Sequence, residues 1–113
     1  MAEQSERRMK PRFVMNQLIE LSIDRETFVP SRGVDVSEEG VRCIAEGYLE
    51  PYSRVYVMFT IRYDEKEEII RAQGIVTNCQ EESKEDETYA LGIKLIDMLD
   101  DEKAKILRYI ETL

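Results

Sequence analysis

The stretch of sequence that decides the fold is Arg54–Tyr63, which reads RVYVMFTIRY. Val55, Val57, Phe59 and Ile61 occupy every second position in it, and the positions between them hold mostly polar or amphipathic side chains. An apolar period of two residues is typical of a β-strand that has one face in the core and the other toward solvent. This stretch is therefore predicted to be a strand of an antiparallel sheet.

Five further segments are predicted to be strands, because they are rich in apolar residues and are bounded by turn formers. They are residues 18–23, 28–36, 41–45, 69–79 and 88–96. In the first of them, Ile19, Leu21 and Ile23 are expected to share one face. The acidic run 81–87, before the last strand, is interpreted as a solvated hairpin loop.

Two of these segments contain residues that disturb a regular strand ladder. Pro30 and Gly33 interrupt residues 28–36, which favours an edge strand or a bulge at that point. Gly74 lies inside residues 69–79 and indicates a sharp bend or a bulge. Ser37-Glu38-Glu39-Gly40 is predicted to form a tight turn, in which Gly40 is able to adopt a positive φ and to admit a ligand close to the backbone.

The apolar period changes after the last predicted strand. Ile106, Leu107, Ile110 and Leu113 lie at helical spacing, and acidic residues precede basic ones, as the helix dipole favours. A C-terminal helix is expected over about residues 99–113. Six strands followed by a helix predict an all-β fold, a six-stranded antiparallel β-barrel partly covered by the helix.

The domain organisation expected from this pattern is simple. Residues 12–113 are expected to form one barrel domain with its helix, since 113 residues fit a single domain. Residues 1–11 are polar and aperiodic and contain a proline, so they are expected to form a flexible N-terminal tail.

Several function classes are disfavoured by what the sequence lacks. The chain has no histidine and no Ser-x-x-Lys or Gly-x-Ser-x-Gly pattern, so neither an enzyme nor a resident metal or cofactor is expected. No apolar run approaches the roughly 20 residues of a membrane helix, and no signal peptide is recognisable, so a cytoplasmic location is expected. Cys43 and Cys79 are expected to be buried free thiols rather than a disulfide or metal ligands.

The net charge of −8 is unevenly distributed along the chain. The segment Arg7-Arg8-Met9-Lys10-Pro11-Arg12 holds four basic residues and no acid, which leaves 12 basic and 24 acidic residues elsewhere, a net charge of −12. Because charges are screened over about 8 Å at physiological salt, the basic segment acts with its own sign. The sequence therefore disfavours binding of DNA or RNA polymers but allows a small anion at this one place.

Arg8 and Arg12 lie four residues apart in a segment that Pro11 keeps from forming a regular helix. A guanidinium group donates two hydrogen bonds to O6 and N7 of guanine, stacks on the base with its flat face, and pairs with phosphate. Taken alone, such a pair is more typical of a solubilising tail.

Asp35-Val36-Ser37-Glu38-Glu39-Gly40 lies at a predicted strand–turn–strand junction. A carboxylate at Asp35 is able to accept hydrogen bonds from N1–H and N2–H₂ of a guanine, and the Ser37 hydroxyl is able to serve base or phosphate. Taken alone, this segment is also typical of an ordinary Asp/Ser turn.

Together the two motifs resemble the signature of the PilZ domain family, bacterial receptors for cyclic di-GMP. That signature is R-x-x-x-R, a gap of some twenty to thirty residues, then [D/N]-x-S-x-x-G, and the gap from Arg12 to Asp35 is 22 residues. The tract Leu91–Asp97 also resembles the final strand of the family. Leu95 stands where phenylalanine is often found, a difference that concerns packing.

The resemblance implies that seven residues of this chain bind cyclic di-GMP. They are Arg7, Arg8, Arg12, Asp35, Ser37, Gly40 and Gly92. The arginine pair would clasp guanine and phosphate groups, and the Asp-Ser-Gly motif would shape the pocket for the other face of guanine. A basic residue before the motif is often associated with a stacked pair of ligand molecules, so Arg7 is either a third contact or one more solvated charge.

The function implied is that of a non-enzymatic cyclic di-GMP receptor, which changes conformation on binding and signals to a partner protein. Motility, polysaccharide and pilus machinery are the partner classes expected for such a receptor. The alternative is a PilZ-fold adaptor that acts through protein–protein contacts without nucleotide. A barrel that binds single-stranded nucleic acid is disfavoured, because it would need a basic groove with interleaved aromatic residues.

Overall fold

The computed structural model describes residues 13–15, 18–63 and 65–112. The strands, in chain order, are β1 (Phe13–Val14), β2 (Leu18–Ser22), β3 (Val29–Val36), β4 (Gly40–Ala45), β5 (Arg54–Tyr63), β6 (Lys66–Ser83) and β7 (Thr88–Ile96). One helix, α1 (Asp100–Glu111), follows them. The tail predicted over residues 1–11 lies outside the described residues.

Six of the described strands close into an antiparallel barrel. Around the ring their order is β3-β2-β5-β6-β7-β4, and β4 pairs back onto β3. The two residues of β1 pair with the end of β3 that lies nearest β4. The predicted six-stranded antiparallel barrel with a C-terminal helix is therefore confirmed, with β1 as an additional short strand.

The barrel core is built from alternating residues, as the pattern of β5 predicts. Val55, Val57, Phe59 and Ile61 are all essentially inaccessible to solvent. Their burial places the intervening side chains of β5 on the outer surface.

The predicted face of β2 is correct at Ile19 and Leu21, which are fully buried, but wrong at Ile23, which is 53% exposed. The strand ends at Ser22, whose hydroxyl accepts a hydrogen bond from the Arg25 backbone N–H at 2.8 Å and donates to Asp24 at 3.2 Å. These local bonds turn the chain away from the ladder before Ile23 is reached.

Both predicted strand irregularities have a counterpart in the structure. The register of β3 against β4 shifts between Gly33 and Asp35, so the bulge is confirmed, but the edge position is wrong because β3 has strand partners on both sides. In β6 the shift lies between Val76 and Asn78 rather than at Gly74. Gly74 instead allows close packing, since a Cβ there would lie 2.5 Å from Cγ2 of Ile93.

The acidic run 81–87 is only partly a loop, because β6 continues as far as Ser83. Ser83 pairs with Thr88, and the hydroxyl of Thr88 donates to the Glu82 carboxylate at 2.6 Å. The Asp86 backbone N–H donates to the Ser83 hydroxyl at 3.2 Å, which closes the hairpin. These bonds extend the strand pair into a sequence whose charge suggested only a solvated loop.

Helix α1 packs on the barrel through Ile106 and Tyr109, and Tyr109 was not among the predicted apolar positions. Lys105 Nζ lies 3.3 Å from Oε2 of Glu68 on β6, and this contact raises the pKa of Lys105. Among the described residues, no helix is long and apolar enough to cross a membrane.

The reason for a glycine at position 40 differs from the one predicted. None of the described glycines has a positive φ, so Gly40 is not required by backbone conformation. A Cβ at Gly40 would lie 2.2 Å from the carbonyl oxygen of Ile93 on β7. The glycine is therefore required by the close approach of β7 to the start of β4.

We expect Gly40→Ala to lower the free energy of unfolding by about 1–3 kcal/mol, because a backbone carbonyl is unable to move aside as a flexible side chain does. Gly47→Ala is the matched control, since its Cβ would meet only Cγ1 of Val29, at 3.7 Å. That control should change stability by no more than about 0.5 kcal/mol. Urea denaturation of both variants measures the difference, and equal stabilities would contradict this explanation.

The two cysteines are free, with Cys43 buried and Cys79 half-buried. Both pair with Leu91 in their ladders, so they stand two strands apart, about 9.5 Å. That separation exceeds the roughly 7 Å between Cα atoms that a disulfide allows. Burial raises the pKa of the Cys43 thiol to about 11.

We expect one thiol of the folded protein to react quickly with a disulfide reagent at pH 8 and two to react in denaturant. The fast thiol should be Cys79, because a buried thiol with a raised pKa forms little thiolate. Cys79→Ser should remove the fast phase, and Cys43→Ser should leave it in place. Two fast thiols in the folded wild type would contradict the packing of Cys43.

Candidate functional site

A row of residues that face one another crosses five strands on the outside of the barrel. The ladders pair Val14 with Asp35, Asp35 with Arg42, Arg42 with Gly92, and Gly92 with Asn78. The row runs through β1, β3, β4, β7 and β6 in that order. It therefore brings two of the predicted site residues, Asp35 and Gly92, onto one surface together with Arg42 and Asn78.

Asp35 and Arg42 form an ion pair at the middle of this row. Nε of Arg42 donates to Oδ1 and Oδ2 of Asp35, each at 2.9 Å, and Nη2 also donates to Oδ2. The Asp35 side chain is 9% exposed, whereas that of Arg42 is 58% exposed. The hydrogen bond to Asp35 raises the pKa of Arg42, so the guanidinium stays charged.

Sequence reasoning missed Arg42. Its signal is present in β4, where Arg42 is a charged residue between Val41 and Cys43, both of which face the core. A charged side chain on the outer face of a strand is ordinary, so this position alone does not single out Arg42. The partner of Arg42 depends on the register with β3, which the local sequence does not contain.

The turn between β3 and β4 is held by its own hydrogen bonds. The Ser37 backbone N–H donates to the carbonyl of Gly40 at 2.9 Å, and the Ser37 hydroxyl accepts from the Glu39 backbone N–H at 3.2 Å. Ser37 is buried. The predicted tight turn is therefore present, and its geometry places Asp35 and Gly40 at the two strand ends that flank it.

A groove of about 350 Å³ lies beside this turn, over β4, β7 and the bulge of β6. Gly92 belongs to its lining, and a Cβ at that position would lie 2.8 Å from Oγ1 of Thr77 and 3.0 Å from Nδ2 of Asn78. The absence of a side chain at Gly92 leaves room for these two polar groups at the groove floor. Hydroxyl and amide groups there are able to bind the polar edge of a planar ligand.

The charge of the groove is opposite to that of the chain as a whole. Arg42 and Lys94 contribute two cations to its lining, and Glu39 contributes one acid. The ion pair with Asp35 offsets part of the Arg42 charge, but its guanidinium remains largely exposed. The groove therefore suits a small ligand that carries negative charge.

The predicted basic residues Arg7, Arg8 and Arg12 lie outside the described residues. The described chain begins at Phe13, directly after Arg12, and Phe13 pairs with Val36 of β3. β1 therefore lies against the end of β3, next to the turn that contains Ser37. The predicted ligand contacts of all seven residues stay predictions.

A larger groove of about 600 Å³ lies over β5 and β6 and contains none of the predicted site residues. Its lining includes Arg25, whose guanidinium carbon lies 4.1 Å from the ring centroid of Tyr56, and the apolar residues Phe28 and Leu99. The size of this groove does not decide the site, because Gly40 and Gly92 line the smaller groove. Among the described residues, no cluster of His, Cys, Asp or Glu is suited to hold a metal ion.

The fold and the site together define a small antiparallel barrel with a polar, cationic groove beside its β3–β4 turn. The model of the PilZ domain family matches residues 6–112, and the chain belongs to this family.

Two solved structures are similar to the chain over nearly its whole length. The inhibitor of motility MotI (DgrA) of Bacillus subtilis has a TM-score of 0.78 at 14% identity, with 94% of this chain and 50% of that chain covered. The PilZ domain of YcgR from Escherichia coli with c-di-GMP has a TM-score of 0.76 at 14% identity, with 95% and 91% covered. This chain thus spans about half the length of MotI. No curated protein matched the chain significantly.

Proposed function

We propose that the chain is a non-enzymatic receptor for cyclic di-GMP that signals to a partner protein. The observation that carries the proposal is the pairing of β1 with β3. β1 begins at Phe13, the residue that follows Arg12 in the sequence, and it lies against Asp35 and Val36 in the second half of the family signature. A ligand with two guanines and two phosphates suits a groove that has cations at its wall and amide and hydroxyl groups at its floor.

In this proposal Arg8 and Arg12 clasp the guanine and phosphate groups, and Arg7 adds a third cationic contact. On the barrel, the ligand is bound by Asp35, Ser37, Gly40 and the neighbouring Gly92. Support comes from the position of Asp35 and Gly92 in one row of paired residues and from family membership.

The proposed output is a change in the surface that a partner protein recognises, and a cytoplasmic location belongs to this proposal. The similar Bacillus subtilis protein is named an inhibitor of motility, which makes motility machinery one partner class to test. Polysaccharide and pilus machinery are the others.

We expect Arg8→Ala and Arg12→Ala each to remove most cyclic di-GMP binding, because each deletes a charged, planar donor group. Arg71→Ala is the matched control, since Arg71 lies in the larger groove over β5 and β6. Titration calorimetry on the wild type and the three variants measures the affinities. Wild-type affinity in both motif variants would refute the proposal.

We expect Gly92→Ala to fold normally but to bind cyclic di-GMP at least about tenfold more weakly, a change of about 1.4 kcal/mol. The new Cβ would meet the ends of two groove-lining side chains, Thr77 and Asn78, and their displacement would change the floor of the groove. Thermal unfolding checks the fold, and Gly47→Ala is the control for binding. An unchanged affinity would show that the ligand does not use this groove.

The second candidate function is that of a PilZ-fold adaptor that binds a protein partner without nucleotide. It is favoured by the larger groove, where Leu99 is 72% exposed and the Arg25–Tyr56 pair offers a cationic and aromatic surface. Addition of cyclic di-GMP to isotope-labelled protein separates the two functions. Chemical-shift changes at Arg8, Arg12 and along β3, β4 and β7 support the receptor, and a spectrum without changes supports the adaptor.

A further inference from the structure

The first residues of β6 have a strand partner on one side only. Residues 66–72 pair with residues 57–63 of β5, and β7 joins β6 only from Gln73 onward. No other segment that the structure describes pairs with this stretch. The ladder with β5 runs through it without a register shift. Residues 66–72 therefore form a regular sheet edge, the β6 edge.

The direction of the backbone groups along this edge follows from hydrogen bonds at the other end of the β5–β6 ladder. The Val76 N–H donates to the carbonyl of Ser53 at 3.0 Å, and the Val76 carbonyl accepts from the Tyr52 N–H at 2.7 Å. Successive residues of a strand direct their backbone groups to opposite sides, so the even-numbered residues of this ladder face β5. The odd-numbered residues of the β6 edge direct their N–H and C=O groups to the open side. They are Glu67, Ile69 and Arg71.

Helix α1 lies over the inner face of the β5–β6 hairpin. Ile106 and Tyr109 of the helix belong to the same core cluster as Ile61 of β5 and Ile70 of β6. The helix contacts β5 as well as β6. A helix beside the β6 edge would contact mainly β6, since β5 lies one strand spacing, about 4.8 Å, farther away. The position of α1 therefore leaves the β6 edge open.

The outer face of the β6 edge carries an acid, an apolar residue and a base, in that order. Glu67, Ile69 and Arg71 are all exposed, Ile69 by 44%. Glu67 forms an ion pair with Arg62 of β5 and still keeps 57% of its side chain exposed. A β-branched residue on a free edge favours strand pairing, whereas charges on an edge usually oppose it. The balance depends on the charges that an incoming strand places opposite Glu67 and Arg71.

A second copy of the same edge, running antiparallel, places opposite charges together. With a two-fold axis at Ile69, Glu67 lies opposite the partner's Arg71, and the two Ile69 side chains meet. All of these positions direct their backbone groups to the open side, so each pair exchanges both of its hydrogen bonds. An axis at Glu67 or at Arg71 would bring like charges together, and an axis between them and Ile69 would place a charge opposite Ile69. The charges of the edge therefore favour one register and one occupant, another copy of this chain.

We propose that two copies of the chain associate through the β6 edge, which joins the two barrels into one continuous antiparallel sheet. The association is isologous, because the same three residues of each copy meet one another. A pairing of this length buries less surface than most stable dimers, so the dimer forms in a concentration-dependent way. The groove beside the β3–β4 turn includes Thr77 and Asn78 of β6 and does not overlap with the β6 edge. The dimer goes beyond the proposed function and does not depend on it.

The first test measures self-association without cyclic di-GMP, by sedimentation velocity from about 1 μM to about 1 mM protein. The wild type should pass from monomer to dimer as the concentration rises. Glu67→Arg and Arg71→Glu should each weaken the dimer about tenfold or more, because each places two like-charged pairs in the interface. An equimolar mixture of these two variants should form heterodimers, since their edges complement each other. Lys84→Glu, at an exposed position of the β6–β7 turn, changes the net charge as Arg71→Glu does and should associate as the wild type does.

Three outcomes of this test overturn the proposal. The first is a wild type that stays monomeric over the whole range, whether or not it binds cyclic di-GMP. The second is a dimer that both charge reversals leave unchanged, since another surface would then hold the copies together. The third is a mixture that associates no better than its two components, which would exclude the antiparallel register. Thermal unfolding checks that the variants keep the barrel, and the substituted side chains are exposed.

The second test needs no variant, because it follows amide hydrogen exchange of the wild type at a low and a high protein concentration. The amides of Glu67, Ile69 and Arg71 should exchange fast in the dilute sample and become protected in the concentrated one. The amides of Glu68 and Ile70 face β5 and should be protected in both samples. Protection of the first three amides that is the same at both concentrations would overturn the proposal.

Discussion

β3 is the strand on which the rest of the structure depends, because it pairs with three others. Its first half pairs with β2, its second half pairs with β1, and β4 pairs along both halves and closes the barrel. The bulge between Gly33 and Asp35 separates the two halves. Met15, which follows β1, is buried over Gly33, where a Cβ would lie 2.9 Å from its sulfur atom, and its backbone N–H donates to the carbonyl of Val34 at 2.9 Å.

The bulge also determines which side chains of β3 point to the outer surface, where the candidate site lies. Beyond it Val36 pairs with Val41 in the core, so Asp35 and Arg42 point to the outer surface together. A shift of one residue in this register would exchange the buried and exposed sets. The pairing of Asp35 with Arg42 on the outer surface therefore depends on the irregularity of β3.

Local patterns were sufficient for most of the fold. The alternation in β5 and the helical spacing of α1 arise from burial against the core. Both patterns can therefore be recognised from residues that are close together in the sequence. Ile23 was misassigned because hydrogen bonds of Ser22 and Asp24 end β2 one residue earlier. Gly40 was expected to adopt a positive φ, but a glycine is required there by the close approach of Ile93, which belongs to a strand more than fifty residues away.

The sequence names candidate site residues but not their arrangement. Asp35, Ser37, Gly40 and Gly92 could be named from their motifs, whereas Arg42 and Asn78 join them only through the registers of three ladders. Registers between distant strands depend on how the whole barrel closes, and a linear pattern does not record them. The arginine segment remains a prediction from the sequence.

Because the barrel is closed, it offers other proteins a different kind of binding surface from that of an open sheet. An open sheet offers its edge to an incoming strand, and backbone hydrogen bonds then provide affinity with little dependence on sequence. In the six-stranded ring described for this chain, every strand has two neighbours. Where a strand is paired on both sides, another protein recognises the ring through side chains rather than through free backbone groups, whereas residues 66–72 of β6 pair only with β5.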